Sequence, residues 1–258
     1  MRNRRESFLA VCLLCLLFCG CDHIGAGGSS ASPSRRATLW VVLLDRSVSV
    51  KADTSIYDDA VRRLTKAVQP GDRFVMGAIT ATSGTDFRLS VDESLPDAMP
   101  SQGMMDEPKQ YEKEKASRDA QIRDAKDRID KGVQRFLHAD TTAAKSAIFE
   151  SLFVVAPLIE ADQRKHVLVI LSDMLEDSSA ADFERQLPTD ASTKRLIERQ
   201  EKDHTIPNLA GVAVCVAGAV ASPPERAAAV ERFWRSYLEK AGATIAPGSY
   251  ARTLTGCI

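Results

Sequence analysis

Three near-continuous apolar runs, Leu39–Leu44, His166–Leu171 and Leu209–Val216, restrict the fold of this chain more than any other feature. A strand with one wet face alternates apolar and polar residues. A run without alternation must be buried on both faces, as in a mostly parallel sheet covered by helices on either side. A fourth run, Arg73–Thr80, is followed by Thr82-Ser-Gly-Thr85 and then Phe87–Val91, which reads as a hairpin. Segments of helical spacing lie between the strands. Ala60, Val61, Leu64, Ala67 and Val68 form a stripe in Tyr57–Val68, with Asp53 or Thr54 as cap. Ile148, Leu152, Val155 and Ile159 form another in Lys145–Ile159. Pro223-Pro224 opens a helix to Ala241, which Gly242 stops. A short helix is expected in Thr193–Lys202, and a last strand in Ala243–Ala246 or Ala251–Leu254. Strands alternating with helices predict an α/β, doubly wound, mostly parallel six-stranded sheet with helices on both faces.

The segment 106–138 has another character. Acidic and basic residues alternate through it, and Glu114/Arg118, Asp119/Arg123, Asp124/Arg128 and Asp127/Lys131 have the acid-before-base i,i+4 order that supports an exposed helix. Ile122, Ala125, Ile129, Val133 and Phe136 keep a narrow apolar stripe. The pattern predicts a long charged helical insertion lying on the domain, or else a partner-binding arm. Asp92–Pro108 upstream, rich in Pro, Asp and Met, reads as an irregular loop.

The N-terminus carries an address rather than a fold. Arg2, Arg4 and Arg5 precede the apolar run Phe8–Phe18, which is too short to span a bilayer as a mature helix. The run ends in Phe18-Cys19-Gly20-Cys21, which resembles a bacterial lipobox; Phe18 stands where Leu is usual, and Cys19 is unusual at its place. The resemblance implies a signal peptide over 1–20 and a lipid attached at Cys21. A secretory signal cut nearby or an uncleaved anchor are the alternatives. Residues 21–36 have the Gly, Ser and Ala content of a flexible tether. The expected location is the bacterial cell envelope, lipid-anchored, on the periplasmic side or at the cell surface, with Asp22 pointing to the inner membrane. Beyond the signal and the lipid-bearing Cys21, only Cys215 and Cys257 remain of six cysteines. They either pair in an oxidising compartment or stand as a core residue and a tail thiol. A formal net charge of −1 argues against nucleic acid as the main partner.

Chemistry concentrates at two strand ends. Asp45-Arg46-Ser47-Val48-Ser49 follows the first apolar run, and Ser172-Asp173-Met174 follows the second. Carboxylates and hydroxyls are the hard oxygens that hold Mg²⁺ or Mn²⁺. In an open α/β sheet, ligands bind beyond the carboxyl ends of the strands where the strand order reverses. A third loop, Thr141-Thr142-Ala-Ala-Lys145-Ser146, precedes the middle helix.

In this order the residues resemble the von Willebrand factor A (VWA) domain with its metal-ion-dependent adhesion site. The family carries Asp-x-Ser-x-Ser after strand one, a Thr or Ser before a middle helix, and an Asp after strand four. The resemblance covers roughly residues 37–258 and implies that Asp45, Ser47, Ser49, Ser146 and Asp173 hold the cation, with Thr142 as competitor to Ser146. It further implies a protein partner that offers a Glu or Asp to the metal. Val48 and Met174 stand where the family commonly has glycine, and a β-branched valine tolerates positive φ poorly.

Other chemistries find little support. None of the four histidines, at 23, 138, 166 and 204, sits beside a nucleophile elbow or in a metalloprotease motif. Mg²⁺-dependent phosphatases of the haloacid dehalogenase type need a second Asp two residues after the first, where this chain has Ser47. The expectation is a binding domain rather than an enzyme. A metal-free scaffold that binds through the charged helix is the other reading.

Overall fold

The computed structural model describes residues 35–47, 54–101, 107–139, 143–219 and 222–257. The expected signal peptide, Cys21, the tether up to residue 34, Val48, Ser49, Asp53 and Thr142 lie outside them. Six strands form one sheet in the order β3-β2-β1-β4-β5-β6: β1 (Thr38–Asp45), β2 (Arg73–Ile79), β3 (Leu89–Ser94), β4 (Lys165–Leu171), β5 (Ala213–Ala217) and β6 (Tyr250–Ala251). All neighbours pair in parallel except β2 with β3, so the sheet is mostly parallel with one antiparallel edge.

The helices are α1 (Thr54–Ala67), α2 (Ser83–Asp86), α3 (Pro108–Leu137), α4 (Ile148–Ala161), α5 (Asp190–Lys202) and α6 (Pro224–Lys240). The missing alternation in the strands now has its cause. Leu39, Val41 and Leu43 of β1 pack with α4 and α6 on one face, while Trp40, Val42 and Leu44 pack with α1 and α3 on the other. Both faces are core, so both parities are apolar.

Three expectations are corrected in detail. The hairpin of β2 and β3 forms, closed by the one-turn helix α2, but its second strand runs Leu89–Ser94 rather than Phe87–Val91. Thr82 O accepts N–H bonds from Thr85 and Asp86, and Ser83 Oγ accepts from Thr80 N (2.9 Å) while donating to Thr80 O (3.0 Å). The run Leu209–Val216 is strand only from Ala213; Leu209 and Val212 are buried in the turn before it. Helix α5 begins three residues before Thr193, because Thr189 and Ser192 close a reciprocal capping box ahead of it.

Helix α3 rests on β3 by the predicted stripe: Ala125, Ile129 and Val133 are buried, and a Cβ at Gly132 would lie 2.9 Å from Val91. Gly132 thus permits the close approach. Arg128 turns to Glu93 of β3 (2.9 Å) rather than to Asp124. Cys215 on β5 and Cys257 in the tail form a disulfide, with Cα atoms 6.2 Å apart. At the foot of the sheet, fully buried Asp72 accepts bonds from Thr38 N (2.7 Å), Gln69 N (2.9 Å) and Trp40 Nε1 (3.2 Å), tying the entry to β1 to the turn before β2. Among the described residues no helix is long and apolar enough to cross a membrane.

Candidate metal centre

The strand order reverses between β1 and β4: β1 leads outward to β2, and β4 leads the other way to β5 and β6. The ends of these two strands therefore flank the crevice in which doubly wound sheets bind ligands. Alternation sends odd-numbered residues of β1 to the α4 face, so Asp45 points there. The register Leu44↔Leu171 sets Ser172 beside it on the same face.

Asp45 is 1% exposed, and hydroxyls converge on it. Ser172 Oγ donates to Oδ2 (2.7 Å), and Ser146 Oγ lies 3.0 Å from both carboxylate oxygens. The Ser47 amide closes onto Oδ1 (2.8 Å). Ser146 reaches the site because its segment is stitched between strand ends. Ala143 N donates to Arg46 O (2.8 Å), Ala147 N to Thr80 O (3.2 Å), and Asp177 N to Ser146 O (3.0 Å). Lys145 and Asp177 add an ion pair at 2.7 Å.

Asp173 follows Ser172 at the partly exposed rim, with Oδ1 accepting Leu175 N (3.0 Å). Met174 adopts φ +65°, the left-handed conformation that glycine takes without penalty. For a residue with a Cβ this costs about 1–2 kcal/mol. Two bonds hold it: Met174 N donates to Ser172 Oγ (2.9 Å), and Trp234 Nε1 donates to Met174 O (2.9 Å). The methionine is fully buried, so core packing offsets part of the strain. Ser172 therefore serves twice, donating to Asp45 and accepting from Met174. Sequence reading did not single it out as a site residue, although strand parity and register together lead to it.

A second residue went unnoticed. Helix α4 starts at Ile148 without a capping side chain of its own. Glu176, fully buried, supplies the cap from the loop after β4: Oε2 accepts Ile148 N (2.8 Å) and Phe149 N (3.2 Å). Burial pushes its carboxyl from an ordinary 4.5 up to about 8, with Glu150 adding to the rise; the Ser178 hydroxyl and the two amides pull the other way. No sequence spacing marks an acid that caps a helix from another loop.

Asp45, Ser47, Ser146 and Asp173 are all hard-oxygen donors. Among the described residues no three His, Cys, Asp or Glu side chains gather as a metal site, so a cation here would rest on hydroxyls as much as on acids. Two carboxylates among hydroxyls suit a cation that retains waters and takes few protein acids, as Mg²⁺ does. Ser49 and Thr142 fall outside the described residues. Two histidines are spent locally, His138 Nδ1 on Gln134 O (2.8 Å) and His166 Nε2 on Asp162 O (2.9 Å) at the foot of the sheet.

No family model and no curated protein matches the chain. Similar solved structures include the pilus adhesin SpaC from Lactobacillus rhamnosus GG in an open conformation (12% identity, TM-score 0.47, over 84% of this chain and 28% of that one). The ArnB paralog VWA2 from Sulfolobus acidocaldarius is another (10%, TM-score 0.44, over 84% and 41%). The SpRpn10 VWA domain is a third (9%, TM-score 0.39, over 86% and 90%). The chain thus spans under a third of the adhesin and under half of the ArnB paralog. At these identities and TM-scores the likeness carries no argument beyond the fold described above, a mostly parallel six-stranded sheet flanked by helices.

Proposed function

We propose that this chain is an interaction domain that captures a partner protein through a divalent cation, Mg²⁺ or Mn²⁺, held by Asp45, Ser47, Ser49, Ser146 and Asp173. Thr142 stands in reserve for Ser146. The observation that carries the reading is the buried Asp45 carboxylate at the switch point, drawing hydroxyls from two other chain segments. When bound, the cation would supply an electrophilic position for a Glu or Asp side chain of the partner. Asp45 would anchor it, Ser47 and Ser146 would orient it, and partly exposed Asp173 would line the side that the partner approaches. The domain would act from the cell envelope, tethered by a lipid at Cys21.

Added Mg²⁺ or Mn²⁺ should raise the melting temperature, because a ligand at about one hundred times its Kd stabilises by about 3 kcal/mol. Asp45→Ala should abolish the rise, and Ser146→Ala should weaken it while disturbing the core less. An unchanged melting temperature in the wild type would favour a metal-free scaffold that binds through the exposed charges of α3. A pull-down from envelope extracts with and without chelator separates the two readings. Mg²⁺-dependent phosphatase activity that disappears in Asp45→Asn would replace binding with catalysis.

A further inference from the structure

Asp45 and Arg46 are adjacent, and strand alternation sends them to opposite faces of the sheet. Asp45 meets Ser146 on the α4 face, whereas Arg46 turns to the face that carries α3. There its guanidinium donates to Phe136 O (2.8 Å), Leu137 O (3.3 Å) and Ala139 O, and stands 5.4 Å above the Phe136 ring. Phe136 O and Leu137 O belong to the last turn of α3, where carbonyls lack intrahelical partners; Phe136 O also accepts Ala139 N (3.4 Å), and Ala139 O lies just past the cap. Helix α3 ends at His138 in neither a glycine nor a left-handed cap, so the fork of Arg46 closes it from another element. The main chain of Arg46 completes the stitch. Its N–H donates to Ile79 O (3.3 Å) and its carbonyl accepts Ala143 N (2.8 Å), three residues before Ser146.

We propose that Arg46 is a positioning residue for the cation site. It clamps the end of α3 with its side chain and the start of the Ser146 loop with its backbone. Ala139 and Ala143 are thus both held by Arg46, and Ser146, three residues after Ala143, is delivered to Asp45. The long charged helix becomes part of the site's support rather than an appendage. By linkage, whatever stabilises the end of α3 tightens the site, and a cation at the site protects the end of α3.

The test compares wild type, Arg46→Gln and Arg46→Lys in the full chain. Lysine keeps the charge but cannot donate to three carbonyls in a fixed fork. The first measurement is amide hydrogen exchange without cation. The amides of His138, Ala139 and Ala143 should exchange at least about ten-fold faster in both variants, while those of β4 and β5 keep their rates. The second is the Mn²⁺ dissociation constant, read well below the melting temperature. It should rise about ten-fold or more in Arg46→Gln, the usual cost of losing support behind a metal ligand. Unaltered exchange at those three amides, or an equal Mn²⁺ constant in wild type and Arg46→Gln, overturns the proposal. The Mn²⁺ arm rests on the cation reading above. Wild-type protein that binds no Mn²⁺ overturns that reading, while the clamp is then decided by exchange alone. A uniform rise in exchange across the sheet would mean a merely structural arginine and would also overturn it.

Discussion

Replacing Glu176 with glutamine should flatten the pH dependence of stability between about pH 5 and 8. The buried carboxyl titrates at about 8 in the folded chain against 4.5 for an ordinary glutamate. Between those values the folded state binds more protons than the unfolded state, so stability falls as pH rises. The full slope for one proton is about ten-fold in the folding constant per pH unit, and the loss accumulated by about pH 7 is about 3 kcal/mol. In Glu176→Gln the new amide would keep an oxygen for the N–H groups of Ile148 and Phe149, yet carry no titrating proton. Its NH₂ would take the place of Oε1, which has no hydrogen-bond partner among the described residues, so the variant should start out less stable at about pH 5, by about 1–3 kcal/mol. The difference should then shrink and reverse towards about pH 8. Urea unfolding across this pH range in the presence of chelator, at constant ionic strength, reads this directly. Parallel stability curves for the two proteins would refute the reasoning, because they would show that Glu176 ionises in the folded state as readily as in the unfolded one.

Asp72→Ala should cost about 3 kcal/mol or more, since it orphans the donors Thr38 N, Gln69 N and Trp40 Nε1 at roughly 1 kcal/mol or more each; a loss under about 1 kcal/mol in urea unfolding would contradict that. Reduction, or Cys257→Ser, opens a loop between residues 42 apart and should lower stability by about 4 kcal/mol in the chain-entropy account. Equal unfolding midpoints with and without reductant would mean that the bond does not constrain the chain.

The fold was readable where one physical cause dominated. Burial on both faces removed the alternation from Leu39–Leu44 and His166–Leu171, and the structure extends each run by a residue or two only. Readings drifted where hydrophobicity and backbone geometry part company. Leu209 and Val212 are as buried as strand residues but sit in a turn, so an apolar count could not separate them from β5. The connector Thr82–Thr85 looked like a turn because Ser, Gly and Thr favour one. Yet here the Thr82 carbonyl accepts the N–H groups of Thr85 and Asp86 and closes one turn of α2, without a side-chain cap.

The site was readable to the extent that it is local. Asp45, Ser47 and Asp173 announce themselves by lying just past strand ends, whereas Ser172 needs two facts at once, the side to which Asp45 points and the residue opposite it in β4. Only the second requires the fold, because parity follows from the apolar run itself. Arg46 needs a third fact, that a helix far along the chain finishes over the same strand end. In the motif it occupies a variable position and looks like a solvated charge. What makes it consequential is the partition that alternation imposes on neighbours: a carboxylate facing one layer obliges the next side chain to face the other. A motif at the end of a strand buried on both faces is therefore two-sided, and its intervening residue will meet whatever element covers the opposite face. Here that element is α3, whose carbonyls at Phe136 and Leu137 take up the charge.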